Sequence, residues 1–337
     1  MNSSDMRRRR FVAGVSALGL GATGVTGGAW AQGGNAAGAG AAAYPGQPIR
    51  MVVPYPPGGG TDNLARMMAT KLQEAWGQTV IVDNRPGASG TIGNDMVAKA
   101  PADGYTVLLA ITAIVQVPAL MKLPYDVNRD LQPLAQVAST NSILVVPKSS
   151  PVKSLAEFIT MVKSQPGKHN FGSYGIGTSS HIQGSLLNLQ AGTDLIHVPY
   201  KGAAPLLQDL RGGQLTCAFI DMSTIRPHLD SFRGLAVTGV QRNKVVPDVP
   251  TFAELGYQSF EPVGWFALFM PAGVPAPIAK KFADESNRIL KLPDVIEKIE
   301  AQGMTPGGMP TERFAKMVRD DLAVYSKIIK ETNIRLE

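Results

Sequence analysis

Four stretches of this chain place glycines beside hydroxyl or acidic side chains, each where an apolar run gives way to helical spacing. The first is Pro54-Tyr55-Pro56-Pro57-Gly58-Gly59-Gly60-Thr61-Asp62. Glycine lets a ligand come close to backbone N–H groups, and a helix start leaves its first amides without internal partners. Such a corner suits a small anion. An ordinary βα turn capped by Thr61 or Asp62 would use the same residues, so this loop alone leaves both readings open. The second stretch is Asn84-Arg85-Pro86-Gly87-Ala88-Ser89-Gly90, where Ser89 and Thr91 offer hydroxyls to a ligand oxygen or, more commonly, to a helix cap. The third, Gly172-Ser173-Tyr174-Gly175-Ile176-Gly177-Thr178-Ser179-Ser180-His181, holds more N–H and O–H donors than a turn requires, which favours a ligand role. His181 there reads as a cap or a core hydrogen bond. The fourth is His197-Val198-Pro199-Tyr200-Lys201-Gly202, ahead of helical spacing from Ala203 to Leu210. The apolar run after it ends in Asp221, a cap for the next turn of chain or a partner for a ligand's ammonium group.

Other chemistries find less support. Ser89 sits in Pro-Gly-Ala-Ser-Gly, which is not a G-x-S-x-G elbow. His169, His181, His197 and His228 are too far apart for zinc-ligand spacing, and no metal is expected. Gly175-Ile176-Gly177 lacks the third glycine of a dinucleotide fingerprint, and no Gly-Lys-Ser/Thr phosphate loop occurs, so no cofactor is expected. The single cysteine, Cys217, lies in an apolar run and reads as a small buried hydrophobe. The residues point to a binder and not to an enzyme.

The elements that position the four corners follow from periodicity. Ile49 to Val53 reads as a strand before the first corner, and Ala65, Met68, Leu72 and Trp76 as a helix face after it. Thr79 to Val82 precedes the second corner, and Ile92, Met96, Val97 and Ala100 come after it. Residues 105–111 form a nearly continuous apolar run, as in a strand covered on both faces, with Thr112 at its carboxyl end, where open parallel sheets keep their ligand crevice. Strands alternate with helices, which predicts an α/β protein with two mainly parallel sheets. Ile143 to Pro147 and Gly264 to Pro271 break the rhythm and read as two strands crossing between lobes. On that reading residues 44–141 join 265–337 in lobe 1, and 142–264 form lobe 2. Phe282, Ile289 and Leu290, then Phe314, Met317, Val318, Leu322 and Tyr325, predict terminal helices packed on lobe 1.

The amino terminus is a separate matter. Arg7 to Arg10 precede a Gly/Ala-rich apolar stretch and Ala29-Trp30-Ala31, the layout of an export signal cleaved after Ala31, of twin-arginine or Sec type. Residues 32–43 read as a Gly/Ala tether. The signal holds four arginines and one aspartate, so of the formal charge of +6 only +3 belongs to the remainder, with basic and acidic residues interspersed. Nothing in that pattern calls for nucleic acid.

Taken in order, Gly46-Gln47-Pro48, Val53 to Gly59 with Asp62, Asn84 to Gly90, Asp103-Gly104-Tyr105-Thr106, Leu123-Pro124-Tyr125-Asp126, Pro166-Gly167-Lys168, Gly177 to His181, His197 to Gly202, Pro247-Asp248-Val249-Pro250-Thr251 and Pro271-Ala272-Gly273 form a recognisable series. From about residue 45 to its end the chain resembles the periplasmic solute-binding proteins of tripartite tricarboxylate transporters, the Bug proteins. The resemblance implies a two-lobed, type II Venus-flytrap fold and a soluble, monomeric periplasmic protein. Such a protein closes on a small carboxylate and delivers it to a membrane permease. The resemblance also implies contacts from Tyr55, Pro56, Pro57, Gly58, Gly59 and Gly60, from Gly87, Ala88 and Ser89, and from Ala110, Ile111 and Thr112. Second-lobe contacts would come from Ser173, Gly175, Gly177, Thr178, Ser179 and Asp221. Ile111 to Gln116 is more apolar than the family's usual stretch, which implies a bulkier or more hydrophobic ligand; di- and tricarboxylates, aromatic acids and acidic amino acids all remain in view. An accessory of a membrane sensor kinase would use the same cleft, and a periplasmic hydrolase is the weakest alternative.

Overall fold

The computed structural model of the protein describes residues 44–260 and 264–331. The expected export signal and tether lie outside the described residues. β1 (Ile49–Val53), α1 (Gly60–Trp76), β2 (Val80–Asn84), α2 (Thr91–Ala98) and β3 (Thr106–Ile111) form two successive βαβ units in which β1 lies parallel to both neighbours. Two single-turn helices, α3 (Ala113–Gln116) and α4 (Val127–Asp130), lead to β4 (Leu131–Thr140). The chain then passes at Asn141 into a second sheet. That sheet is built from β5 (Ser142–Pro147), α5 (Leu155–Ser164), β6 (Asn170–Ser173), α6 (Ser179–Ala191), β7 (Ile196–Pro199), α7 (Ala203–Arg211), β8 (Cys217–Asp221), α8 (Met222–Ile225) and β9 (Phe232–Val237). β10 (Gly264–Pro271) belongs again to the first sheet, followed by α9 (Ala276–Ile289), α10 (Pro293–Ala301), β11 (Thr305–Pro306) and α11 (Thr311–Glu331). Strand order is β11-β4-β10-β3-β1-β2 in the first sheet and β7-β6-β8-β5-β9 in the second.

The period-two rule explains why both sheets are covered on both faces. On β1, Ile49, Met51 and Val53 pack with α1, α9 and α10, while Val52 points to the other core. On β10, Phe266, Leu268 and Met270 join the first of these cores, and Trp265, Ala267 and Phe269 join the second with Phe314 and Val318 of α11. The second sheet repeats the pattern: Leu144 and Val146 of β5 meet Cys217 and Phe219 on one face, Ile143 and Val145 meet Ala218 and Ile220 on the other. We refer to each sheet with its packed helices as a lobe.

Two expectations need correction. The fold is two-lobed α/β, but the sheets are mixed and not mainly parallel: β10 runs antiparallel to β3 and β4, and β5 antiparallel to β8 and β9. The reason is connectivity, because β10 comes back from the second lobe and inserts between β3 and β4. Nor do β5 and β10 cross between lobes, since each lies wholly within one sheet. Cys217 is buried, and burial pushes its thiol well above the ordinary range.

Candidate functional site

Helix starts differ here in whether a side chain caps them. At α5, Ser154 accepts a hydrogen bond from the Glu157 amide (3.2 Å), and at α4, Asp126 accepts from the amides of Asn128 and Arg129. At α1, α6 and α7 the cap residues are Gly59, Thr178 and Gly202, and no side chain caps the helix. Gly59 and Gly202 have nothing to offer. Thr178 has a hydroxyl, but it donates backwards to the Gly175 carbonyl (2.7 Å) and meets Ser180 Oγ. These three starts line one cavity of about 850 Å³, whereas those of α2, α9 and α10, also without a side-chain cap, do not.

The first-lobe corner is braced from beneath. Asp62, which as a free acid would repel an anion, accepts from the Gly58 amide (3.0 Å), Arg66 Nε (2.9 Å) and Asn84 Nδ2 (3.0 Å). Burial alone would raise its pKa, but these hydrogen bonds and the Arg66 charge outweigh that and hold the carboxyl below its ordinary range. Asn84 also donates to the Tyr55 carbonyl (3.1 Å), so one network fixes the loop at both ends. The amides of Gly60 and Thr61, at the helix start, have no partner within α1.

Asp221 resolves in favour of the cap. It ends β8 and accepts from the Thr224 amide (3.0 Å) and hydroxyl (3.0 Å), from Tyr174 Oη (2.8 Å) and from Ser223 Oγ. Four donors match the roughly four lone-pair sites of a carboxylate, so its capacity is filled by its own lobe. Burial, reinforced by the Asp221 charge, pushes the Tyr174 phenol well above its ordinary range and keeps it a donor.

Of the residues singled out in the sequence, the cavity brings together Tyr55, Pro56, Pro57, Gly58, Gly59, Gly60, Ile111, Thr112, Thr178, Ser179 and Asp221. Gly87, Ala88, Ser89, Ala110, Ser173, Gly175 and Gly177 are not in its lining. Ala110 lies in the core on the α11 side of the first sheet. Ser89, held at a left-handed φ of 53°, donates instead to the Ile176 carbonyl of the other lobe (2.7 Å). The second corner therefore touches the third. Gln116 Nε2 to Ser179 Oγ (2.9 Å) and Arg226 Nη1 to the Glu300 carbonyl (2.9 Å) join the lobes elsewhere. At Gly60 the approach is so close that a Cβ would stand 2.6 Å from Ser223 Oγ. Thr112 lines the cavity, but its hydroxyl is occupied by the Trp265 amide (2.6 Å).

Lining residues not selected from the sequence are Lys201 to Pro205, Arg211, Ser223, Trp265 and Phe266, among others. The fourth corner was visible as a helix start but was not carried into the site. Trp265 and Phe266 offer no signal, being two more apolar residues in a strand.

The third loop rests on a stack of rings. His181 and His197 lie 3.8 Å apart at 6°, with Phe171 stacked on His197 (5.0 Å). His181 Nδ1 accepts from the Gly177 amide (3.1 Å), so it must be unprotonated there. Burial lowers its pKa to about 4, and burial with the neighbouring His181 lowers that of His197 to about 3. His197 Nε2 is 2.6 Å from Ser173 Oγ, a contact that looks like a nucleophile and its base. The serine is fully buried and outside the cavity lining, and so depressed a pKa makes a weak base.

Comparison with known proteins adds relatives to this geometry. A family model described as tripartite tricarboxylate transporter family receptor matches residues 64–334. Protein BugT of Bordetella pertussis is 36% identical over 299 residues, covering 87% of this chain and 92% of that one. Among solved structures, R. palustris Rpa4515 with adipate superposes with a TM-score of 0.83 at 32% identity, over 87% of this chain and 99% of the other. MatC from Rhodopseudomonas palustris with bound malate gives 0.80 at 29%, over 85% and 100%.

Proposed function

Because the chain belongs to the tripartite tricarboxylate transporter receptor family, a family of periplasmic solute-binding proteins, we propose that it captures a small organic carboxylate between its lobes and hands it to a membrane permease of the tripartite type. The observation that carries this reading is the meeting of three uncapped helix starts in one cavity. Each such end acts as a partial positive charge that favours an anion by up to about 2 kcal/mol when partly buried. Lys201 and Arg211 add positive charge to the lining, and the acceptor sites of the lining's acid, Asp221, are taken up by donors of its own lobe. That arrangement supports an anion over an amino acid, whose ammonium would find no open acceptor on Asp221.

On this reading lobe 1 comprises residues 44–141 and 265–337 and lobe 2 residues 142–264, with Gly264, the first residue of β10, going with lobe 1. The lobes close by a hinge, excluding water and strengthening each amide contact. Closure is complete only where Gly60 can pass Ser223. Relatives solved with adipate and malate support a carboxylate ligand. The site residues proposed are the cavity-lining amides of Gly59, Gly60 and Ser179, with Thr178 shaping the third corner and Ser89 acting at the lobe contact. Catalysis is not part of the proposal, since the Ser173–His197 contact lies outside the cavity lining.

A thermal-shift screen over mono-, di- and tricarboxylates, aromatic acids and amino acids tests the reading. A ligand at a hundred times its dissociation constant stabilises by about 2.7 kcal/mol. At least one carboxylate should raise the melting temperature by several degrees and be recovered unchanged; stabilisation by amino acids alone, or conversion of the acid, would contradict it.

A further inference from the structure

The cavity has a second positive pole. Ala204, Leu207, Gln208 and Arg211 all line it, at the i, i+3, i+4, i+7 spacing of one face of α7. At 1.5 Å per residue the Arg211 backbone lies about 10 Å along that wall from Ala204, at the far end of α7 from its uncapped start. The lining also includes Leu207, Ile111, Trp265 and Phe266, an apolar surface for a ligand's body. The Arg211 guanidinium lies over the buried Phe232 ring, 5.8 Å from its centroid, which steadies the head group without cancelling its charge. Among the described residues no ion pair joins Arg211 to a carboxylate, and it is the arginine of the cavity lining; Arg226 and Arg233, likewise without a carboxylate, donate to backbone carbonyls instead. An arginine in a last helical turn complements the helix dipole, and that accounts for its position in α7. It does not account for its place on the cavity face without an acidic neighbour.

On the carboxylate reading proposed above, on which this rests, the geometry points to Arg211 as the residue that recognises a second anionic group on the ligand. The ligand class is then an elongated diacid: one carboxylate at the helix starts, an apolar body along α7, and the distal anion at the guanidinium. A diacid whose carboxylates stand about as far apart as the start and end of α7 answers both poles, and a monoacid of the same length leaves Arg211 unanswered.

Isothermal titration of the protein with succinate, azelate and nonanoate separates these cases. The wild type should bind azelate more tightly than succinate or nonanoate. Arg211→Gln should weaken azelate roughly ten-fold, the worth of one charge-assisted contact at a partly solvated site. It should weaken nonanoate much less than azelate and lower the melting temperature by no more than a few degrees, and Arg211→Lys should restore part of the azelate affinity. Equal losses for azelate and nonanoate, no loss at all, or a wild-type preference for succinate would each overturn the second pole while leaving carboxylate capture standing. Failure of the wild type to bind any of the three acids would overturn both.

Discussion

Asp126 and Ser154 close the starts of α4 and α5 from outside the cavity, as a protein needing only stability would arrange them. The starts of α1, α6 and α7 line the cavity and carry no side-chain cap, although Thr178 is of a type that could supply one. Alanine in place of a good cap costs about 1 kcal/mol but glycine only a few tenths, so the glycine caps of α1 and α7 forgo little stability in the empty protein. An anion bound among them would supply the missing acceptor. α8 is the instructive intermediate: its cap, Asp221, lies in the cavity lining but is filled by donors of its own lobe. Absence of a side-chain cap is not confined to the cavity, since α2, α9 and α10 also start without one and lie outside its lining; what sets α1, α6 and α7 apart is that their open starts share one cavity.

The sharpest way to break the contrast is to fill one open start. Nothing lies within 4 Å of a Cβ built on Gly59, and the residue lines the cavity, so Gly59→Val projects into ligand space without meeting protein. Affinity for the best carboxylate of the screen should fall at least about a hundred-fold, roughly 2.7 kcal/mol, with the circular-dichroism spectrum unchanged. Retained affinity would mean that this corner does not hold the ligand.

A second test acts on the brace behind α6. His181 and His197 are held neutral, with pKa values of about 4 and about 3 against an ordinary 6.5. The unfolded chain takes up these protons first. Stability is therefore complete above pH 6.5 and falls as the pH drops toward 4, by about 1.4 kcal/mol per histidine per unit. Urea melts between pH 7 and 5 should show that slope, and His181→Asn should reduce it; a flat profile would show the stack to be irrelevant to the loop.

The smallest effect belongs to the outward side. Ser154→Ala removes the α5 cap and should cost about 1 kcal/mol of stability with no change in affinity. A change in affinity there would blur the distinction between the two sets of helix starts.

Much of the layering is legible in the chain before any coordinates. Helical spacing at Ala65, Met68 and Leu72 and the continuous run into Ile111 are local signals, and they match α1 and β3. Sheet direction is not local. That β10 inserts antiparallel between β3 and β4 depends on a return from more than a hundred residues away, which no periodicity records. The same limit applies at the cavity. Glycine-rich corners can be recognised one by one, but which of them face a common space is set by the pairing of distant strands. Thus the Gly87–Ser89 turn looks like the others in sequence, yet its serine reaches across to Ile176 instead of lining the cavity. Asp221 shows the converse: a strand-end acid is more often a cap but leaves ligand contact open until Tyr174, distant in sequence, is seen to fill it.

The most direct measurement is an amide NMR titration with the tightest-binding acid of the screen. The backbone signals of Gly60, Thr61, Ser179 and Ala203 should move together and saturate at one dissociation constant, while those of Asn128 and Glu157, already capped by side chains, stay still. Shifts spread evenly over capped and uncapped starts, or saturable binding that leaves the Gly60 and Ser179 amides unmoved, would contradict the claim that open helix ends hold the ligand.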